Sequence, residues 1–72
     1  MRESRFWALM EGEFGERYAY VLADQLVISS LQLTAKQALA AGVPARHVWE
    51  AICEQQDVPE SRRLGKDVPP KQ

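Results

Sequence analysis

The sequence predicts an all-α fold: a small bundle of four helices, the third of them short, with a disordered C-terminal tail. Three observations predict it. Ala, Leu, Glu, Gln and Arg are common and strand formers are scarce, which favours helix. Apolar residues return every three or four positions, the period of a helix with one buried face. Helix start and stop signals, Gly15, Thr34 with Gln37, and Gly42, punctuate the chain between those runs.

The first helix is expected over residues 4–14. Ser4 is its N-cap candidate, and Phe6, Trp7, Met10 and Phe14 form its apolar stripe. Gly15 can adopt the left-handed conformation that ends a helix. The second helix is expected over 16–30, with Tyr18, Val21, Leu22, Gln25, Leu26 and Ser29 on one face. A strand over Leu26–Ile28 competes with its last turn, but the upstream period of 3.6 favours helix.

Thr34 opens the third helix, expected over 34–41. With Gln37 three residues on, it forms a capping box, in which each side chain satisfies the other residue's free N–H. Gly42 then turns the chain, and Pro44 fits the first turn of a fourth helix over 44–56, where its missing N–H costs little. The expected core is Phe6, Trp7, Met10, Phe14, Tyr18, Leu22, Leu26, Leu39, Val48 and Ile52. From Asp57 onward prolines and charges crowd in, so residues 1–58 read as one domain and 59–72 as a flexible tail.

The helix pair around Gly42 resembles a DNA-binding helix-turn-helix. Ala38 falls at the crossing point, Val43 after the turn and Val48 at the anchor of the second helix, while the later anchor is displaced from Ala51 to Ile52. The outward positions of that second helix would be Ala45, Arg46, Trp49, Glu50 and Cys53. The DNA contacts available are Lys36, Arg46 and His47. Between Thr34 and Gln56, two cations face two anions, Glu50 and Glu54. A binder making roughly 6–10 phosphate contacts needs a larger excess. The whole chain has a net charge of −1 and a pI near 5.7, which also argues against a general nucleic-acid binder.

Other chemistry finds little footing. The single cysteine, Cys53, has no disulfide partner, and a reducing cytoplasm suits it. His47 lies six residues away, about 600° of helical rotation, so the two do not form a nucleophile–base pair. Glu11, Glu13 and Glu16 read as a solvated face rather than a cation site. There is no glycine-rich phosphate loop, nucleophile elbow or EF-hand pattern. The expectation is a non-enzyme without cofactor or metal. Neither a signal peptide nor a membrane span is visible, and the acidic polar face of the first helix would be repelled by anionic lipid.

What remains is a small interaction module that binds a protein partner. Trp49 is the candidate anchor, because Val48 and Ile52 supply the buried edge of its helix and exposed tryptophans anchor partners. The outer side of the second helix is the other place for an apolar patch. The runner-up is a weak or accessory DNA-binding protein using the pair 34–56.

Several stretches together resemble one known family: the opening RESRFWALMEGEFG, Tyr18-Ala19, ALAAG, and VWEAICEQQDVP. It is an actinobacterial family of small proteins designated domain of unknown function 3046, and the resemblance spans residues 2 to about 60. The family has no established activity, so the resemblance carries no catalytic or ligand residue onto this chain. Genes of the family often lie beside those of a recombinase and its regulator, which implies a DNA-repair context by association alone.

Overall fold

The computed structural model describes residues 1–63. Four helices are present: α1 (Glu3–Phe14), α2 (Glu16–Gln25), α3 (Ala35–Ala40) and α4 (Ala45–Gln55). A two-stranded hairpin, β1 (Val27–Ile28) and β2 (Leu33–Thr34), lies between α2 and α3, and a 3-10 turn, η1 (Glu60–Arg62), follows α4. α1 packs on both α2 and α4, and α3 packs on α2 and α4.

α1 starts at Glu3, so Ser4 lies inside the helix. The carbonyl of Arg2 accepts from the N–H groups of Arg5 and Phe6, and no side chain caps this end. Phe6, Leu9 and Met10 are buried, with Trp7 and Phe14 packed against the core from its edge. Gly15 has φ +92°, a conformation that strains any L side chain. Its N–H closes α1 on the Glu11 carbonyl, and its own carbonyl accepts from Ala19 N to open α2. One residue therefore reverses the chain.

α2 is shorter than the expected 16–30. It stops at Gln25, and the chain turns into the antiparallel hairpin, with Val27 opposite Thr34 and Ile28 opposite Leu33. Two forces defeat the helix here. Val27 and Ile28 are β-branched and alternate, Val27 outward and Ile28 buried, which suits a strand. Gln55 of α4 also clamps the backbone: its Nε2 donates to the Val27 carbonyl at 3.1 Å, and its Oε1 accepts from Ser29 N at 2.7 Å. A helical 27–29 would commit the Ser29 N–H to the Gln25 carbonyl and take it away from Gln55.

The hairpin leads into α3 through Thr34. Its Oγ1 accepts from Gln37 N at 3.2 Å, and Gln37 Oε1 accepts from Thr34 N at 3.0 Å, so the expected capping box is complete. At the far end, Val43 N donates to the Ala38 carbonyl and Gly42 N to the Leu39 carbonyl. With Gly42 at φ +93°, this is a Schellman closure. Pro44 occupies the N-cap of α4 rather than its first turn.

α4 ends in the same motif without a glycine. Asp57 takes φ +58°, Val58 N donates to the Cys53 carbonyl, and Asp57 N donates to the Glu54 carbonyl. The reversal buries Val58 and sends residues 59–63 back across α4. Residues 59–63, expected in the tail, contain η1 and reach Trp49 of α4. Pro59–Arg63 forms a strap over the domain, because Arg62 pairs with Glu13 of α1 and the Arg63 carbonyl accepts from Trp49. The remainder of the expected tail, 64–72, lies outside the described residues.

Phe6 stands edge-on to both tryptophans, with ring centroids 5.1 Å from Trp7 and 6.5 Å from Trp49. Phe14 also meets Trp49 edge-on. Around these rings the core is filled by small residues, Ala19, Ala23, Ala35, Ala38 and Ala45, which let the short helices approach closely. Tyr18 corrects the expected core: it is 56% exposed and touches Phe14 only at the rim.

Candidate functional site

α4 decides where chemistry is available. It buries Ala45, Val48, Trp49, Ile52 and Cys53, and turns Arg46, His47, Glu50 and Glu54 outward. Ala45, Trp49 and Cys53, expected outward in the helix-turn-helix reading, are thus inside. Trp49, expected as an exposed anchor, is 2% exposed. Its ring meets Phe6 and Phe14 edge-on, and its Nε1 donates to the Arg63 carbonyl at 2.8 Å where the strap crosses α4.

Each of the three candidate DNA contacts has a carboxylate nearby, and Arg46 and His47 share Glu50. Lys36 Nζ sits 3.9 Å from Asp24 of α2. Arg46 Nε bonds Glu50 Oε2 at 3.2 Å, one turn along α4. His47 borders a shallow depression with Ser30, Glu50 and Glu54. The outward side of α4 therefore carries two carboxylates beside one guanidinium and one imidazole.

Arg46 also belongs to a different constellation. A cleft of about 350 Å³ opens between α1, α4 and the strap. It is lined by Met1, Arg5, Arg46, Glu50 and Arg63 above the buried side chains of Leu9 and Trp49. Among the described residues, its lining brings together three guanidinium groups from three separate elements and one carboxylate. Arg63 is held in place by its own Nε, which donates to the Val58 carbonyl at 3.0 Å. Arg62 faces elsewhere, in a two-point pair with Glu13 whose shortest contact is 3.0 Å.

Sequence reasoning found Arg46 and missed Arg5, Leu9 and Arg63. Leu9 is three residues after Phe6, so the helical period could have revealed it. Nothing local marks Arg63, whose position depends on the αL turn at Asp57 and the bond to Trp49.

Cys53, also on α4, is fully buried. Burial pushes its thiol up to about 11; the nearby carboxylates of Glu13 and Glu50 act in the same direction, and Arg63 opposes them. At neutral pH it is a protonated, apolar packing group. On the far flank of α1, Tyr20 stacks on Trp7 at 4.8 Å and donates its hydroxyl to Glu11 Oε2 at 2.7 Å. That hydrogen bond, first of all, raises the Tyr20 pKa. Glu11 and Glu13 are thus each engaged by a specific donor. Among the described residues, no three His, Cys, Asp or Glu side chains are grouped to hold a metal, and no helix is long and apolar enough to cross a membrane.

Fold and cleft together define a small helical domain with an arginine-walled surface recess. The chain belongs to the DUF3046 family of proteins of unknown function, whose model matches residues 1–61. The match takes in α1 to α4 and most of η1. No curated protein and no solved structure matches the chain.

Proposed function

We propose that this protein is a small, non-enzymatic interaction module that binds a protein partner in the cytoplasm of an actinobacterium. The observation that supports this reading is the cleft: Arg5, Arg46 and Arg63 line it above the buried side chains of Leu9 and Trp49. Arginine and aromatic groups around a water-excluding recess are the usual ingredients of a protein-binding hot spot. The anchoring role assigned to an exposed Trp49 passes to the recess above it.

The second reading, an accessory DNA-binding protein using the helix pair 34–56 in a DNA-repair context, draws on Arg46. Against it stand Glu50 and Glu54 on the same outward side of α4.

Capture from a native lysate, with and without nuclease, tests the proposal, with the full-length chain and its Arg46→Glu variant as paired baits. Arg46 is an exposed side chain, 73% accessible, so the variant keeps the fold. A protein retained by the parent and lost by the variant is the expected result. Identical retention by both baits overturns the role of the cleft. Retention that vanishes only with nuclease favours the DNA reading.

A further inference from the structure

We propose that the outward face of α2 docks a second copy of this chain, with the two α2 helices antiparallel across a two-fold axis. The inference uses a face apart from the cleft and does not depend on the reading of it.

Exposed apolar side chains concentrate here. Among the described residues, Tyr18, Tyr20, Val21 and Val27 are large apolar side chains about half exposed, and all four fall on α2 or on the strand that follows it. α2 turns Ala19, Leu22 and Ala23 into the core. At about 100° per residue, Arg17, Tyr20, Val21 and Asp24 fall on the opposite side, within an arc of about 100°. All four are exposed, and Glu16 and Gln25 lie to the sides of the stripe. Tyr20 presents a ring that is already fixed: it stacks on Trp7 at 4.8 Å, and its hydroxyl bonds Glu11. Covering it costs little side-chain freedom, and tyrosine is enriched where proteins meet.

The order of these residues selects the occupant. A two-fold contact brings the same patch of both copies together, so the patch must complement itself. Along α2 the stripe Arg17, Tyr20, Val21, Asp24 reads cation, apolar, apolar, anion, at steps of three, one and three. The spacing is the same in both directions, with opposite charges at its ends. Reversed against itself, the stripe sets Arg17 of each copy against Asp24 of the other, and Tyr20 against Val21. A guanidinium fork fits a carboxylate at two points.

Both charges also lie at the unfavourable ends of their own helix. α2 runs Glu16–Gln25, so Arg17 stands in its first turn and Asp24 in its last. A helix favours anions at its N-terminus and cations at its C-terminus. An antiparallel copy brings Arg17 beside a C-terminal end and Asp24 beside an N-terminal one. Within the chain these charges find little relief. Among the described residues Arg17 has no hydrogen-bond or ion-pair partner, and Asp24 reaches Lys36 at 3.9 Å, with both side chains more than half exposed. A pair so solvated is readily exchanged for another.

One crossing of two ten-residue helices buries less than the roughly 1,200 Å² of the smallest standard interfaces, so the association belongs in the micromolar-to-millimolar range. The test is sedimentation equilibrium of the full-length chain from about 10 μM to about 1 mM, with amide NMR shifts followed over the same series. The average mass should rise with concentration. The amides of Tyr20, Val21 and Asp24 should shift with it, while those of Leu9 and Arg46 at the cleft should not. Arg17→Asp and Asp24→Arg should each weaken self-association at least about tenfold, because each sets like charges face to face. Val21→Lys should do the same by placing a charge at the centre of the contact. Mixed in equal amounts, Arg17→Asp and Asp24→Arg should associate with each other at least as tightly as the parent with itself. The double variant Arg17→Asp/Asp24→Arg should regain self-association. Recovery by recombining the charges shows that the single variants are folded.

A monomer throughout the series overturns the proposal. So does self-association that the single variants leave unchanged, or concentration-dependent shifts confined to the cleft. A mixture and a double variant that both stay monomeric also overturn it, since they contradict the antiparallel pairing.

Discussion

The indole N–H of Trp49, in the middle of α4, donates to the backbone carbonyl of Arg63 at 2.8 Å. This bond joins the strap to the core at a residue that also touches Phe6 and Phe14 edge-on. Trp49→Phe keeps an aromatic ring and removes the donor. We expect a loss of about 2 kcal/mol, from one buried hydrogen bond and the smaller ring. The strap should loosen with it. Trypsin should then cut after Arg62 and Arg63 much faster than in the parent, while sites within α4 lag behind. Urea denaturation followed by circular dichroism gives the stability change.

Arg62 and Glu13 hold the strap from its other side. Glu13 is largely covered, with 15% of its side chain accessible, whereas 57% of Arg62 is accessible. Solvent screens such a pair, so Glu13→Gln should cost less than about 1 kcal/mol. The difference between variant and parent should shrink as salt is added. A salt-independent loss would mean that Glu13 acts through packing rather than charge.

The capping box at Thr34 serves a helix of only six residues. Thr34→Ala leaves Gln37 N without its acceptor and should destabilise by about 1–2 kcal/mol. Thr34→Ser restores the hydroxyl and should recover most of that loss. Because Thr34 also closes β2, hydrogen exchange should accelerate in the hairpin as well as in α3.

Two reversals use the same geometry with different residues. Open space surrounds the position a Cβ would take at Gly42, so Gly42→Ala meets only backbone strain at φ +93°, about 1 kcal/mol. At Asp57 the strain is already present at φ +58°. Asp57→Gly should therefore raise stability, by up to about 1 kcal/mol. Opposite signs in a paired thermal melt are the expected outcome.

Cys53 ties stability to alkaline pH. Its thiol is raised in the fold from 9.0 to about 11, chiefly by burial. The unfolded chain releases that proton first, so the contribution is complete below pH 9 and is lost as pH climbs from 9 toward 11. Cys53→Ala, which removes the titration, should show a shallower fall over that interval. The parent thiol should also react with a thiol reagent only as fast as the structure opens.

Local signals carried well in this chain. The stripe through Phe6 and Met10, the glycine reversals at Gly15 and Gly42, and the Thr34–Gln37 box all operate within a few residues, and each is present. The hairpin was ambiguous for a physical reason. Leu26-Val27-Ile28 satisfies both periods, and the choice between them is made by Gln55, which is 28 residues from Val27. The strap left no local trace. Its turn uses Asp57 where a glycine would have announced it, and its bonds reach to Trp49 and, across 49 residues, to Glu13. That is also why the site was half legible. Arg46 stands on a helix whose outward side can be read from periodicity. Arg63 enters the cleft only once the strap has folded.

The strap over Trp49 is the claim on which the cleft stands, and the exchange rate of the Trp49 indole N–H tests it in the full-length chain. With that proton bonded to Arg63 and the ring 2% exposed, it should exchange as slowly as the backbone amides of α4, and far more slowly than the indole of half-buried Trp7. An indole at Trp49 that exchanges as fast as one free in water would mean that the strap is not closed and the cleft has no third wall.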